Sequence, residues 1–212
     1  SKKLDLSSIK IITSTGSPLA EESFKYVYKN IKQDVHLASI AGGTDLVGCL
    51  VLGNLYSNVH KGEIQGQSLG IDIDVFTDNG KSTKDGDKGE LVVKKPFPSM
   101  PVKFWGDNDG QKYHKAYFTR FENIWHHGDF IERTSNNGFL MRGRSDSTLN
   151  PGGVRIGTSE IYQQVEDIDF ITEGLVVGQD FKDDIRIILF VTTKNNQELD
   201  DEKVKSIKSR IR

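Results

Sequence analysis

The sequence predicts an α/β region followed by a small α+β domain, and three observations support this prediction. Apolar runs at 9–13 and 35–40 flank a segment whose apolar residues have helical spacing. From residue 62 to 98, short β-rich runs are joined by polar turns. Beyond residue 157, the pattern is helix, strand, strand and helix. We place the boundary between the two parts at Asp146, so the predicted domains are 1–145 and 146–212.

The first elements alternate between strand and helix. We expect Ile9–Thr13 to form a short buried strand. A helix should start at Ser17-Pro18, because proline suits an early helical position and the acidic pair Glu21-Glu22 lies near the positive helix end. Its apolar face would consist of Phe24, Val27, Tyr28 and Ile31.

Two glycines separate the next pair of apolar runs. Val35–Ile40 and Leu46–Leu52 are the length of buried strands, and Gly42-Gly43 lies between them. This pattern predicts a strand, a loop and a second buried element.

Two hairpins are expected further along. Gly70–Phe76 and Glu90–Lys94 are β-rich runs that a polar loop connects. Asn136-Asn137-Gly138 lies between two apolar runs, and its Asn-Gly step favours the positive φ angles of a tight turn. The region therefore reads as a β subdomain.

The C-terminal domain predicted to begin at Asp146 has two helices and two strands. Thr158 can cap a helix that continues to Val165. Gly174–Gly178 and Ile185–Thr193 read as strands. Asp200–Ile211 runs from acidic to basic residues, the direction that a helix dipole favours.

Composition excludes several classes of function. The 212 residues include 28 basic and 30 acidic side chains, so the sequence has no broad basic surface for a nucleic-acid polymer or a membrane. No apolar run reaches the roughly 18 to 20 residues that span a bilayer. Cys49 is the only cysteine, which excludes an internal disulfide and a thiolate metal site. We expect a cytosolic protein, and nothing indicates a protein partner.

The most informative segment brings two arginines into one short stretch. Arg144 lies beside Asp146 at the end of an apolar run, and Asn150–Gly153 predicts a tight reversal that returns Arg155 toward Arg144. Two converging guanidinium groups suit a phosphate or a phosphorylated ribose. The alternative is that two solvated arginines flank a hairpin.

The segment GRSDSTLNPGGVRIGTSEIY resembles the junction segment of the adenylate-forming acyl-CoA synthetases, the superfamily that includes luciferase and the peptide-synthetase adenylation domains. The branch that activates acetoacetate is the nearest match. Further similar segments follow the order of that family: Thr13–Leu19, Ser39–Asp45, Gly89–Val93, Phe104–Phe118 and Trp125–Asp129.

The resemblance implies a different role for each of the two domains. Residues 1–145 would be the C-terminal part of the large domain, an α/β sheet with a β subdomain. Residues 146–212 would be most of a small mobile domain that swings about a hinge at Asp146. We expect an internal fragment, inactive by itself, because the family's phosphate loop and C-terminal lysine have no counterpart here.

The resemblance also implies a set of site residues for ATP, magnesium and CoA. Thr44 and Arg155 would contact phosphate, Asp45 would hold magnesium, and Asp129 with Arg144 would hold ribose. The adenine would lie against Gly16, Ser17, Pro18 and Gly43. The CoA tunnel would be lined by Gly152 and Gly153, and the acyl pocket would be bordered by Gly42. Taken without the resemblance, Asp129 is a turn aspartate, Gly16-Ser17-Pro18 is a helix-start turn, and Gly42 merely permits an unusual backbone angle.

Acetoacetate is the acid that the resemblance implies. Related enzymes for acetate have a tryptophan at the position of Gly42, so a glycine there favours a larger acid. The predicted activity is ligation of acetoacetate to CoA with ATP. A synthetase for another short or branched acid and a non-catalytic nucleotide-binding fragment are the alternatives. The pair His126-His127 gives no protein metal site, because adjacent strand residues face opposite ways.

Overall fold

The computed structural model describes residues 4–149, 151, 154–182 and 184–211, and its chain divides into two compact units. The large unit extends to Met141, and the small unit begins at Arg142. This division lies within the strand Phe139–Arg144, shortly before Asp146.

The large unit begins with the expected strand, helix and strand. β1 (Ile11–Ser14) and β2 (His36–Ser39) pair in parallel, and α1 (Glu21–Tyr26) connects them. Pro18 lies before this helix rather than in its first turn, so its predicted helical position is wrong.

The connection after α1 also differs from the predicted continuous helix. Residues Val27–Ile31 form a π-helical segment, which changes the direction of successive side chains. Of the four residues assigned to the apolar face, only Phe24 is buried, whereas Ile31 is 41% exposed.

A small antiparallel sheet follows, and it contains the two glycines that were expected to form a loop. β3 (Ala41–Gly43), β4 (Gly48–Leu52) and β5 (Gly66–Gln67) pair in that order. The register shifts between Ala41 and Gly42. A Cβ atom on Gly42 would lie 2.1 Å from the carbonyl oxygen of Gly48. Glycine therefore allows β3 to lie close to β4, and this contact overrides the loop tendency of the Gly-Gly step.

Both predicted hairpins are present in one four-stranded antiparallel sheet. Its strands are β6 (Ile73–Phe76), β7 (Lys88–Val93), β8 (Trp125–Arg133) and β9 (Phe139–Arg144), in that order. In the second hairpin only Asn137 has a positive φ, of 59°, and Gly138 does not. The turn therefore needs one left-handed residue rather than two.

A short helix precedes β8 and was not predicted. This helix, α2, comprises Gln111–Tyr117. Its tyrosines pack against Trp125, which is 2% exposed and belongs to the main apolar core of the large unit. Strands β4, β6, β7 and β8 supply much of that core, so the aromatic helix covers one part of it.

The small unit has the predicted helix, strand, strand and helix. These elements are α3 (Thr158–Val165), β10 (Ile171–Phe181), β11 (Asp184–Thr193) and α4 (Asp201–Ile211), and the two strands pair antiparallel. Buried apolar residues from α3, β10 and α4 form its core. Among the helices of the described ranges, none has the length and apolar character that a bilayer crossing requires.

The caps of the two helices in the small unit differ from each other. Gly157, rather than Thr158, occupies the N-cap of α3, and its N–H donates to Oε1 of Glu160 at 2.9 Å. The predicted capping role of Thr158 is therefore wrong. At α4, Oδ1 of Asp200 accepts a hydrogen bond from the N–H of Lys203 at 2.9 Å, as an N-cap aspartate should.

Candidate functional site

The parallel pair β1 and β2 brings two predicted site segments to the same edge of a sheet. Carboxyl ends of parallel strands meet at one edge, and ligands of α/β folds bind beyond that edge. The N–H of Ile40 donates to the carbonyl oxygen of Ser14 at 2.9 Å, which extends the pairing to the strand ends. Gly16–Pro18 follows β1, and Gly42–Asp45 follows β2.

Gly16 supplies the backbone angle of the first segment. Its φ is +92°, and a Cβ atom built on it would have no neighbour within 4 Å. The turn therefore uses glycine for conformation rather than for space. Gly16 and Ser17 are exposed, and Pro18 is half-buried.

The second segment ends in the turn that connects β3 to β4. Leu46 is fully buried within this turn, whereas Thr44 and Asp45 are exposed on the preceding two positions. The N–H of Val47 donates to the carbonyl oxygen of Thr44 at 3.3 Å. The buried Leu46 thus anchors a turn in which the residues Thr44 and Asp45 are exposed to solvent.

The carboxylate of Asp45 has two close neighbours within the large unit. The hydroxyl of Tyr117 donates a hydrogen bond to Oδ2 of Asp45. A Cβ atom on Gly43 would lie 2.2 Å from Oδ1, so the glycine makes room for the second oxygen. Gly43 therefore affects the position of Asp45 directly.

Strand β8 holds Asp129, and an irregular register shapes the strand there. His126 is opposite Val92 and Phe130 is opposite Glu90, so β8 has more residues than β7 between these pairs. Gly128 lies in this bulge with a φ of +84°. Asp129 is 7% exposed, and its Oδ2 lies 3.6 Å from Nε2 of His127.

The two histidines of β8 have different surroundings. Nε2 of His126 lies 2.9 Å from Oε2 of Glu90, whereas His127 is near Asp129. A Cβ atom on Gly43 would be 3.1 Å from Cε1 of His127. His127 therefore lies between the Gly43-to-Asp45 segment and Asp129, which brings these predicted site residues together.

The remaining predicted residues belong to the small unit. Asp146 lies in a 3₁₀ turn, Ser145–Ser147, and its Oδ1 is 3.8 Å from Nε of Arg144. Both of these side chains are exposed. Gly152 and Gly153 lie outside the described residues.

Described residues on both sides of the reversal expected at Asn150–Gly153 pair with each other, whereas Asn150, Gly152 and Gly153 lie outside the described residues. Leu149 and Ile156 exchange two backbone hydrogen bonds, of 2.9 and 2.8 Å. Arg155, next to Ile156, is half-buried in the small unit.

The donor chemistry fits a magnesium ion that arrives with phosphates. In the described part of the chain, no three His, Cys, Asp or Glu side chains cluster as metal ligands. Magnesium commonly uses one or two carboxylates together with substrate phosphates and water. The exposed carboxylate of Asp45 beside the hydroxyl of Thr44 suits that arrangement.

The sequence analysis did not identify Tyr117, His127 or Gly128 as parts of the site. Tyr117 and Tyr113 are one helical turn apart, a spacing that could have indicated the helix. His127 was considered only as a metal ligand. The positive φ of Gly128 has no local sequence signal, because the bulge depends on pairing with β7.

Comparison with known proteins shows which sequences this chain resembles. It is 57% identical over 208 residues to the acetoacetyl-coenzyme A synthetase of Rhizobium meliloti (strain 1021) and 45% identical over 210 residues to the acetoacetyl-CoA synthetase of Gallus gallus. Each match covers 98% of this chain but only 32% and 31% of the two relatives. The chain thus spans about a third of their length. No protein-family model matches it.

Solved structures agree with the predicted fold. The acetoacetyl-CoA synthetase from Streptomyces lividans superposes with a TM-score of 0.86 at 39% identity, over 99% of this chain and 32% of that one. A benzoate CoA ligase from Burkholderia xenovorans superposes with a TM-score of 0.77 at 21% identity, over 97% of this chain and 39% of that one, and so supports the fold alone. The predicted fold class is confirmed.

Proposed function

We propose, because this chain is homologous along nearly its whole length to acetoacetyl-CoA synthetases, that the enzyme containing it joins acetoacetate to coenzyme A. In the first step, the carboxylate of acetoacetate attacks the α-phosphorus of ATP, which gives acetoacetyl-adenylate and pyrophosphate. In the second step, the thiol of coenzyme A attacks the acyl carbon, loses its proton and displaces AMP.

One observation supports a nucleotide site in this chain more than any other. The segments after β1 and β2 leave the same sheet edge, and His127 connects the second of them to Asp129. Three sequence segments that resemble the adenylate-forming family therefore lie together in the large unit. Such an edge is where nucleotides bind in α/β folds.

The proposed contacts in the large unit follow from donor and acceptor chemistry. The two oxygens of Asp129 can accept from both ribose hydroxyls. Thr44 would donate to phosphate, and Asp45 would bind the magnesium ion of the nucleotide. Gly16–Pro18 and Gly43 would lie against the adenine, where exposed backbone lets a flat base approach closely.

We also propose roles for residues of the small unit. Arg144 would contact ribose, and Arg155 would neutralise phosphate charge with its planar guanidinium. Gly152-Gly153 would line the path of the CoA thiol, and Asp146 would be the hinge. None of these residues is a nucleophile, so the proposed catalysis consists of orientation and charge stabilisation.

The choice of acetoacetate depends on the relatives rather than on Gly42. A Cβ atom there would contact the backbone of Gly48 and Cys49, so the hairpin itself requires a glycine at this position. We propose that Gly42 still borders the acyl pocket. The absence of a side chain at Gly42 is therefore no indication of the size of the acid substrate.

The full-length enzyme tests this proposal through acid-dependent ATP–pyrophosphate exchange. Acetoacetate should support exchange far better than acetate or branched short acids, with acetoacetyl-CoA as the final product. A preference for another acid would favour the alternative synthetase. Nucleotide binding without exchange for any acid would favour a non-catalytic module.

A variant of Asp129 tests the ribose contact. Asp129→Asn keeps the shape of the side chain but weakens two charge-assisted hydrogen bonds, by roughly 1 kcal/mol each. We expect kcat/KM for ATP to fall about thirtyfold. Asp85→Asn, an exposed loop substitution in the same unit, is the control and should leave this value unchanged. Wild-type kinetics for Asp129→Asn would show that Asp129 does not bind ribose.

A further inference from the structure

Tyr117 contacts Asp45 across a long separation in sequence. Tyr117 is the last residue of α2, and its hydroxyl donates to Oδ2 of Asp45 in the exposed turn between β3 and β4. The two residues are 72 positions apart. The contact is therefore a tertiary one that depends on the placement of α2.

Aromatic packing fixes the position of the Tyr117 ring. The ring stacks on Trp125 with a centroid separation of 3.7 Å and an interplanar angle of 12°. Phe104 contacts it edge-on, at a centroid separation of 5.8 Å. Trp125 is buried in the core, so the stacked ring has little freedom to move. Its hydroxyl is consequently a donor at a fixed position.

The helix that carries Tyr117 is itself tethered at its first turn. The carboxylate of Asp107 accepts from the N–H of Lys112 at 3.1 Å and from the N–H of Tyr113 at 2.8 Å. Burial would raise the pKa of Asp107, but these backbone donors hold the pKa below its usual value. The hydroxyl of Tyr113 also donates to the carbonyl oxygen of Pro101 at 2.5 Å.

The contact leaves the two oxygens of Asp45 in different environments. Oδ2 accepts from Tyr117, while Oδ1 lies beside the Cα of Gly43. An exposed aspartate in a turn would otherwise sample several rotamers, and binding would have to select one of them. A fixed hydroxyl reduces that ordering requirement before any ligand binds.

We infer that Tyr117 is a positioning residue that orients the carboxylate of Asp45 toward the magnesium ion of the bound nucleotide. This inference rests on the proposed function, in which Asp45 holds that ion. It gives the aromatic helix a role in the site: α2 holds the side chain of the aspartate that the proposed function assigns to magnesium.

Manganese binding to the full-length enzyme tests the inference without requiring turnover. Mn²⁺ replaces magnesium as an electron paramagnetic resonance probe, in the presence of an ATP analogue with a methylene group between the α- and β-phosphorus atoms. Tyr117→Phe removes only the hydroxyl and keeps the stacked ring. We expect the Mn²⁺ dissociation constant to rise about fivefold to tenfold, the factor that the net contribution of one ordinary hydrogen bond predicts.

A second tyrosine of the same helix provides the matched control. Tyr113→Phe loses the hydrogen bond to Pro101 and keeps the hydrogen bond from Tyr117 to Asp45, so its Mn²⁺ dissociation constant should stay at the wild-type value. The Mg²⁺ concentration for half-maximal adenylation should rise in Tyr117→Phe alone, with KM for acetoacetate unchanged. In an Asp45→Asn background, Tyr117→Phe should have no further effect on Mn²⁺ binding.

The outcomes separate this inference from the proposed function. If the wild-type enzyme catalyses acetoacetate-dependent exchange and Tyr117→Phe binds Mn²⁺ with wild-type affinity, the inference is overturned and the function stands. Equally weakened Mn²⁺ binding in Tyr113→Phe would also overturn the inference, because the effect would then come from a general change in α2. A wild-type enzyme without acid-dependent exchange would instead contradict the function.

Discussion

Oε2 of Glu90 lies 2.9 Å from Nε2 of His126 inside the sheet that carries Asp129. Glu90 is fully buried, and Nη2 of Arg120 is 3.2 Å from its other carboxylate oxygen. A buried carboxylate costs several kcal/mol of desolvation unless partners compensate it. The Glu90–His126 pair therefore links β7 to β8, and removal of the histidine leaves the buried carboxylate with one partner fewer.

Removal of His126 should destabilise the protein. His126→Leu deprives the buried carboxylate of one partner, and we expect the free energy of unfolding to fall by about 3 kcal/mol in urea denaturation. The double variant Glu90→Leu/His126→Leu removes the uncompensated charge and should be more stable than His126→Leu alone. Strictly additive losses in the two single variants would show that the pair has no coupling.

The stability contributed by Asp74 should disappear in acid. Burial by itself would raise the pKa of Asp74, but hydrogen bonds from Ser82 and from the N–H of Val75, together with the charge of Lys94, hold the pKa below its usual value. A carboxyl group whose folded pKa is depressed stabilises the fold above its unfolded pKa of about 3.9. That stabilisation is lost as the pH falls through the folded pKa.

Asp74→Asn should therefore be less stable than the wild type at pH 7, and the difference should shrink below about pH 4. Urea denaturation at several pH values measures this trend. Asp85→Asn, which changes an exposed carboxylate, should show no comparable deficit at pH 7. A deficit in Asp74→Asn that stays constant down to pH 2 would exclude titration of Asp74 as its cause.

Two glycines of one hairpin should respond differently to alanine. Gly42→Ala places a Cβ atom 2.1 Å from the carbonyl oxygen of Gly48, so the backbone must shift, and we expect a loss of about 2 kcal/mol. Gly48→Ala is the control, since its Cβ would meet nothing closer than 3.5 Å. Thermal denaturation compares the two. Equal melting temperatures would show that β3 adapts to the added methyl group without cost.

Proline at position 146, the proposed hinge, should separate the two proposed half-reactions. Asp146→Pro fixes φ of residue 146 at about −65° and removes its backbone N–H donor. It also disfavours the helical geometry of the preceding residue, Ser145, in the 3₁₀ turn. We expect the full-length enzyme to retain ATP–pyrophosphate exchange and to lose thioester formation. Asp146→Ala, which keeps the backbone free, should retain both. Parallel loss of both activities with a lowered melting temperature would contradict the hinge assignment.

Strands with strong local patterns could be predicted from the sequence, and so could the similarity to acetoacetyl-CoA synthetases. The runs that became β1, β2, β6 and β7 are short and apolar, and turn residues delimit them. The antiparallel pairing of Leu149 with Ile156 also agrees with the turn residues in the sequence between them. These features depend on neighbours along the chain, which is the information that a single sequence contains.

Features that depend on distant contacts could not be predicted. The strand conformation of Gly42 depends on the backbone of β4, and the bulge at Gly128 depends on register with β7. The Asp45 carboxylate has its hydrogen-bond partner in Tyr117, which is 72 residues away in the sequence. The residues were visible in the sequence, but their relationships required the fold.

The two adjacent glycines of β3 should produce separate phenotypes in a mutational scan. At Gly42 an added side chain meets rigid backbone, so substitutions there should reduce the abundance of folded protein. At Gly43 the nearest obstacle is the carboxylate of Asp45, a side chain that can rotate away if it gives up its hydrogen bond from Tyr117. A scan scored by expression alone would therefore tolerate changes at Gly43 that a scan scored by the proposed ligase activity would reject.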